Sequence, residues 1–316
     1  MRQSYYPWIP GGITHGGVGA YDLKEIPAAV GGTGQALSAG MEINMGGGDV
    51  VDSLLASGIS FEDNPDFNCG KGCYRNKRGI VQAEAVVMVA RGMVKQMGLV
   101  TILEKTPNPI RVAAAVLQTD QIGIGGPDAR RFADRMGIPR CRNRDLLTPR
   151  STAIWRECRR RQRQGQDPEP KGSDTAGGGF IAQNFSIGGF NTTGGLNFKE
   201  PGRIGDCGQG STGVYVEWYG VAIASGDGEA IVLATLCKDA IVRLGQMRDN
   251  PMEVARWAIF SHLSENAGRM ASGGIIILTA HGKVGYATNQ QMPVAYQIAD
   301  GPIVKGMVSG TILEEF

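Results

Sequence analysis

The sequence predicts a mixed fold of the α+β class, and three observations carry that expectation. Helix-like and strand-like stretches stand on both sides of a single polar segment, residues 140–174. Hydrophobic residues make up 42% of the 316 and charged ones 20%, enough to bury a core and too little charge for a disordered chain. Glycine is the outlier: 48 residues, roughly 15% and about twice the usual share. No Gly-X-Y period runs through them, so collagen is excluded and many tight turns and close backbone approaches are expected.

Taken in order, Asp49 stands where it can cap a helix whose apolar positions Val50, Val51, Leu54, Leu55 and Ile59 fall at helical spacing. A loop follows over 62–72, then strands over 80–90 and 98–103. Asn108-Pro109 opens a helix through Leu117, with proline at a position whose N–H would be unpaired anyway. Residues 127–136 read as another. The segment 140–174 is rich in Arg, Gln, Pro and Gly, and Arg156, Arg159, Arg160, Arg161 and Arg163 crowd together in it. It reads as a solvated, flexible linker or an exposed helix end rather than an RNA-binding patch, because 32 basic and 30 acidic residues leave a net charge of only +2. Beyond it, 180–185 and 214–224 read as strands and 275–288 as a hairpin turning at His281-Gly282. Helices at 229–244 and 251–267 each carry an apolar stripe. No period of 20–50 residues repeats, which excludes a solenoid.

Several function classes fall away. The N-terminus lacks the continuous apolar core of a secretory signal, and no apolar run is long enough to cross a bilayer. The cysteines (Cys69, Cys73, Cys141, Cys158, Cys207, Cys237) are scattered, and no second pair faces Cys69 and Cys73, so free thiols in the cytoplasm are expected rather than a zinc site. Gly32-Thr33-Gly34 lacks the last glycine of a dinucleotide fingerprint, and no P-loop occurs. Ser211 misses the first glycine of a nucleophile elbow. His15, His262 and His281 have no metal-ligand partner at useful spacing. No membrane or nucleic acid is expected as a partner.

One constellation remains. Gly172-Ser173-Asp174-Thr175-Ala176-Gly177-Gly178 is followed, eighteen residues beyond Thr175, by Thr193-Gly194-Gly195, and then by Pro201-Gly202-Arg203-Ile204-Gly205-Asp206. Ser225-Gly226-Asp227-Gly228-Glu229 stands further on; Phe67-Asn68-Cys69-Gly70-Lys71-Gly72 and Asn108-Pro109-Ile110-Arg111 stand upstream. Singly, each has a plain structural reading: Arg203 and Asp206 as a surface ion pair, Thr193 as a strand end, Ser225-Gly226 as a turn, Asn68 as an Asx turn. Their joint spacing argues otherwise.

The set resembles the N-terminal-nucleophile hydrolases: plant-type L-asparaginases, isoaspartyl peptidases and aspartylglucosaminidases. The resemblance runs from His15-Gly16-Gly17 to about Asn289, broken by the linker. It implies a four-layer αββα sandwich in one domain, cut between Asp174 and Thr175 into 1–174 and 175–316, and paired as an (αβ)2 assembly. Chemistry explains the cut. A threonine hydroxyl needs a base, and an α-amine with a pKa of about 7.7–8.0 can serve, whereas a peptide nitrogen with its delocalised lone pair cannot. By the same resemblance, Thr175 is the nucleophile, Thr193 orients it, and Arg203 grips a substrate α-carboxylate while Asp206 receives the α-ammonium. Ser225 and Gly226 supply oxyanion donors, Asn68 supports the nucleophile, and the backbone of 61–71 holds a structural sodium ion; no other cofactor is implied.

The expected reaction is hydrolysis of the side-chain amide of asparagine or of a β-aspartyl peptide through a covalent acyl-enzyme. Glycosylasparagine or another aspartyl-like amide is the alternative substrate. A non-catalytic or RNA-associated protein that keeps the fold is the alternative of another class. The chain departs from the family at Ser173, at Glu84 and Val89, and in the glycine-rich stretch 180–190. Tyr5, Tyr6 and Trp8 read as packing aromatics, with a distal substrate site as the other possibility.

Overall fold

In the computed structural model, which describes residues 7–168, 175–247 and 250–315, twelve strands join one curled sheet. They are β1 (Gly11–His15), β2 (Ala83–Arg91), β3 (Val94–Leu103), β4 (Gly123–Gly125), β5 (Ala176–Ile181), β6 (Ser186–Thr193), β7 (Val214–Glu217), β8 (Gly220–Gly226), β9 (Gly273–Thr279), β10 (Val284–Ile298), β11 (Val304–Gly310) and β12 (Ile312–Glu315). The helices are α1 (Ile26–Met45), α2 (Val50–Asp63), α3 (Pro109–Val116), α4 (Gly126–Arg135), α5 (Pro149–Arg163), α6 (Gly228–Leu233), α7 (Leu236–Gln246), α8 (Pro251–Trp257) and α9 (Leu263–Ala267). The mixed α+β class is as expected. The sheet runs β4-β3-β2-β6-β5-β1-β10-β9-β8-β7, with β11 on β10 and β12 on β11.

The glycines in β5 and β6 explain the curl. The sheet folds back until these strands face β7 and β8. A Cβ on Gly177 or Gly179 would come within 2.8 Å of Ile223 or Val221, and one on Gly189 within 2.7 Å of Val221. Only bare backbone permits so close an approach. The other face of β5 carries Phe180, whose ring fills the space over Gly12 and Gly40. Two large apolar clusters result. One gathers Ile223, Ile231, Ile241 and Ile276; the other gathers Leu37, Leu54, Phe61, Phe180 and Phe190. Among the described residues no helix is long and apolar enough to cross a membrane.

Local signals hold in several places. Asp49 caps α2, accepting from Val51 N at 2.8 Å. Pro109 stands in the first turn of α3. The 275–288 hairpin forms, with Gly282 at φ 73° in its turn. Elsewhere the structure corrects the expectation. Residues 214–224 form two strands, β7 and β8, rather than one. The helix expected over 229–244 breaks between α6 and α7 at Thr235, which sits at φ 42°. The largest correction concerns the linker. Residues 149–163 form α5, capped by Thr148 and started by Pro149. Trp155 and Cys158 are buried against Phe198, and Trp155 Nε1 donates to Asn76 O at 2.9 Å. The arginines dominate its composition, yet two side chains on its inner face decide its placement. Ser173 and Asp174 lie outside the described residues, as do Tyr5 and Tyr6.

Candidate active site

The start of β5 positions the central threonine. Ala176 pairs with Thr192 and Gly177 with Asn191, so continuing the register sets Thr175 opposite Thr193 at the end of β6. Both are buried, 4% and 3% exposed. Beyond Thr193 the chain bends through Gly195 at φ 72°, and Gly195 N donates to Thr193 Oγ1 at 2.9 Å. Asn68 rivets that bend to the 61–74 loop. Its Nδ2 donates to Gly195 O at 2.8 Å, its Oδ1 accepts from Tyr74 N at 2.7 Å, and its carbonyl accepts from Gly194 N at 2.7 Å. A Cβ on Gly194 would fall 2.4 Å from Asn68 Oδ1, which explains the paired glycines after Thr193.

Thr175, Thr193, Arg203, Asp206 and Gly226 line one small cleft, with Gly195, Leu196, Gly205 and Gly228 completing its wall. Five positions singled out in the sequence therefore converge. Asn68 stands behind the wall. Ser225 is buried one strand position from Gly226, and its hydroxyl accepts from Val18 N at 3.1 Å. Gly226 is at φ 142°, and a Cβ there would fall 2.4 Å from Ser272 O, so this position demands glycine. Trp8 packs at the other end of β5: its ring lies 5.3 Å from that of Phe185, and its Nε1 donates to Ala182 O at 2.8 Å. That is the packing role expected for it.

The polar end of the cleft is built from opposed charges. Arg203 sits in a slot between Gly205 and Gly228 and makes two parallel bonds to Glu229, at 2.9 and 2.7 Å. Burial works against the Arg203 charge, but Glu229, Glu84 and Asp206 outweigh it and hold the guanidinium more firmly protonated than usual. Burial likewise opposes the Glu229 charge, and Arg203 wins there too, keeping that carboxyl below its ordinary range. Asp206 differs. Burial pushes its carboxyl up to about 7, Arg203 pulls it back and Glu84 pushes it further, and its Oδ2 is buried without a partner among the described residues.

Beneath this end lies a second pair that motif reading missed. Lys199 Nζ is 3.5 Å from Glu84 Oε1, both side chains 1% exposed, and donates to Gln82 O at 2.8 Å. Glu84 in turn accepts from Gly205 N at 3.1 Å, so it holds the loop bearing Arg203 and Asp206. Burial lowers the Lys199 pKa, and the facing Glu84 opposes that shift. Glu84 was legible only as a departure, and Glu229 only as the end of a motif. Among the described residues no cluster of His, Cys, Asp and Glu could hold a metal ion.

The site can be compared with known proteins. A sequence model of the asparaginase family matches residues 11–304. An isoaspartyl peptidase/L-asparaginase of Danio rerio is 26% identical over 276 residues, covering 87% of each chain. A plant-type L-asparaginase of Pyrococcus horikoshii is 30% identical, covering 90% of this chain and 95% of its own. An isoaspartyl peptidase/L-asparaginase of Bos taurus is 29% identical, covering 94% and 96%.

Proposed function

The chain belongs to the asparaginase family, and from that premise we propose which residues carry the reaction and how the cleft is activated. The protein is an amidohydrolase of the asparaginase and isoaspartyl peptidase type. Thr175 is the nucleophile. Its hydroxyl first attacks the carbonyl carbon of Asp174, the peptide C–N bond breaks, and an ester links the two halves. The hydroxyl proton passes to the departing nitrogen, which becomes the free α-amine of Thr175; water then hydrolyses the ester, restoring the Thr175 hydroxyl and dividing the chain into 1–174 and 175–316.

In turnover the amine takes the Thr175 hydroxyl proton while the oxygen attacks the substrate's side-chain amide carbon. The protonated leaving amine or ammonia departs, and water hydrolyses the acyl-threonine. Thr193, opposite Thr175, orients the hydroxyl, and Asn68 keeps the bend after Thr193 in place. Ser225 and Gly226 supply the donors for the developing oxyanion. Arg203 grips the α-carboxylate and Asp206 receives the α-ammonium. The observation that carries this reading is that one cleft holds the threonine pair and the Arg203–Asp206 pair together.

The finer architecture belongs to the same proposal: an αββα sandwich whose units pair as (αβ)2, with asparagine or a short β-aspartyl peptide as the bound partner. The Pro65 and Phe67 carbonyls converge on Gly72, each within 2.7 Å of its Cβ position, which supports a structural sodium ion held by neutral oxygens of the 61–71 loop. The six cysteines are free thiols, which supports a reducing, cytoplasmic setting.

Thr175→Ala tests the nucleophile. Denaturing electrophoresis should show a single uncut band, and the protein should be inactive on L-asparagine, β-aspartyl dipeptides and glycosylasparagine alike. A Thr175→Ala chain that still divides in two would end this assignment. The same panel on the parent protein identifies its preferred amide.

A further inference from the structure

A guanidinium offers two edges to carboxylates: a side edge, Nε with one Nη, and an end edge, Nη1 with Nη2. Glu229 takes the side edge of Arg203, with Nε donating to Oε1 at 2.9 Å and Nη2 to Oε2 at 2.7 Å. Nη1 donates to no acceptor among the described residues. Bare backbone borders the end edge instead. A Cβ on Gly205 would fall 2.7 Å from Nη1, and one on Gly228 would fall 2.9 Å from Nη2. Both glycines line the cleft beside Arg203. Arg203 is 15% exposed and Glu229 52%, so the anchoring carboxylate reaches the guanidinium from the rim.

We propose that Glu229 is a positioning residue that fixes the plane of the Arg203 guanidinium, so that its end edge is presented to the α-carboxylate of the substrate. Glu229 thereby sets selectivity for amides that carry that carboxylate. The inference rests on the amidohydrolase reading of the cleft and adds a residue that motif spacing had left without a role. Two effects of Glu229 oppose each other. Its charge repels the incoming carboxylate across solvent-screened space, while its two bonds remove the ordering that binding would otherwise require of a long side chain. The slot between Gly205 and Gly228 favours the second effect, because a guanidinium free to turn there would present its end edge only part of the time.

The test compares Glu229→Ala and Glu229→Gln with the parent, using L-aspartate binding by calorimetry and hydrolysis of L-asparagine and of β-alaninamide, which lacks the α-carboxylate. Glu229→Ala should raise the Kd for L-aspartate and the KM for L-asparagine about tenfold, with kcat changed less than about threefold. Glu229→Gln keeps the length and one acceptor and should recover most of that loss. Turnover of β-alaninamide, relative to parent, should be indifferent to both changes. Parental Kd and KM in both variants would overturn the proposal, and so would tighter binding in both, since Glu229 would then be a competitor. If the Ala variant does not fold, Glu229→Met, which keeps the length but offers no carboxylate acceptor, takes its place: a Kd at or below the parental value overturns the proposal, and a raised one supports it. A parent protein that neither binds L-aspartate nor hydrolyses L-asparagine would overturn the reading of the cleft as well, a failure distinct from the others.

Discussion

His15 on β1 pairs with Gly177 on β5, and Gly177 pairs with Asn191 on β6, so a buried imidazole and a buried amide share one inner face across a Cα that carries no side chain. Burial drives the His15 pKa down to about 3, with the Asn191 side chain and the Thr175 backbone as its polar neighbours opposing that shift. The imidazole is therefore neutral at any working pH, two residues from the register position of Thr175.

Adding one methyl group at Gly177 should break this arrangement. Its Cβ would fall 1.9 Å from Asn191 Oδ1 and 2.8 Å from Ile223 Cγ2, and neither neighbour can retreat inside two packed strands. Gly177→Ala should melt at a lower temperature and fail to divide at Asp174-Thr175. Gly31→Ala is the control: it lies within α1 with nothing within 4 Å of the new Cβ, and should stabilise by about 0.5–1 kcal/mol. Thermal melts and denaturing gels read both. A Gly177→Ala protein that cuts itself and melts like the parent would refute the packing argument.

The pairing proposed between Asp206 and a substrate α-ammonium should make affinity depend on pH. Its carboxyl stands at about 7 because of burial, so near neutrality the empty site is partly protonated and cannot pair with an ammonium. The Kd for L-aspartate should fall as pH rises through about 7, until the ligand's own α-ammonium begins to lose its proton. Asp206→Asn should bind weakly and remove that acid limb. A parental Kd that is flat between about pH 5.5 and 7.5 would contradict the role given to this carboxylate.

Glu62 gives a stability test away from the cleft. Its Oε1 accepts from Thr192 Oγ1 at 2.6 Å and from Ile110 N at 2.9 Å, while Oε2 is buried without a partner among the described residues. Burial raises its carboxyl from 4.5 to about 8. The folded state thus keeps a proton that the unfolded chain releases, so the stability Glu62 contributes is complete below about pH 4.5 and is lost as pH rises through 8. Glu62→Gln cannot ionise. The Tm of the parent minus that of Glu62→Gln should fall steadily from pH 5 to pH 9, and a constant difference would refute the raised carboxyl.

Legibility in the sequence tracked how local each cause was. Asp49 and Pro109 announced their helices because caps and first-turn prolines act within a few residues. The first helix, α1, has Pro27 in its first turn but no side-chain cap, and its pattern is blurred. Gly31, Gly32, Gly34 and Gly40 dilute its propensity, and buried Gly32, Gly34 and Gly40 interrupt the apolar face formed by Ala29, Val30, Ala36, Leu37 and Met41. The glycines of β5 and β6 likewise look like poor strand residues until Val221 and Ile223 are packed against them. In the site, Thr175, Thr193, Arg203 and Asp206 were readable because their spacing is a motif. The partners of those residues were not: Glu229 meets Arg203, and Lys199 meets Glu84, only once distant strands and helices are assembled.

The Lys199–Glu84 pair offers the last test, because its two charges are buried together beneath the loop that carries Arg203 and Asp206. Removing one partner strands the other. Lys199→Met leaves an unpaired carboxylate under Gly205 and should cost about 3–5 kcal/mol, a loss typical of a broken buried pair. Glu84→Gln leaves the ammonium its bond to Gln82 O but no anion at 3.5 Å, and should also destabilise. The double variant carries no stranded charge, and a glutamine oxygen can still accept from Gly205 N. It should therefore melt well above the sum of the two single losses, recovering on the order of half the loss or more. If the two losses simply add, the pair is not an energetic unit, and Glu84 would act on the loop through its hydrogen bond alone. Substrate binding separates these cases further: the double variant should hold L-aspartate nearly as well as the parent, because Gly205 and hence Arg203 stay where they are.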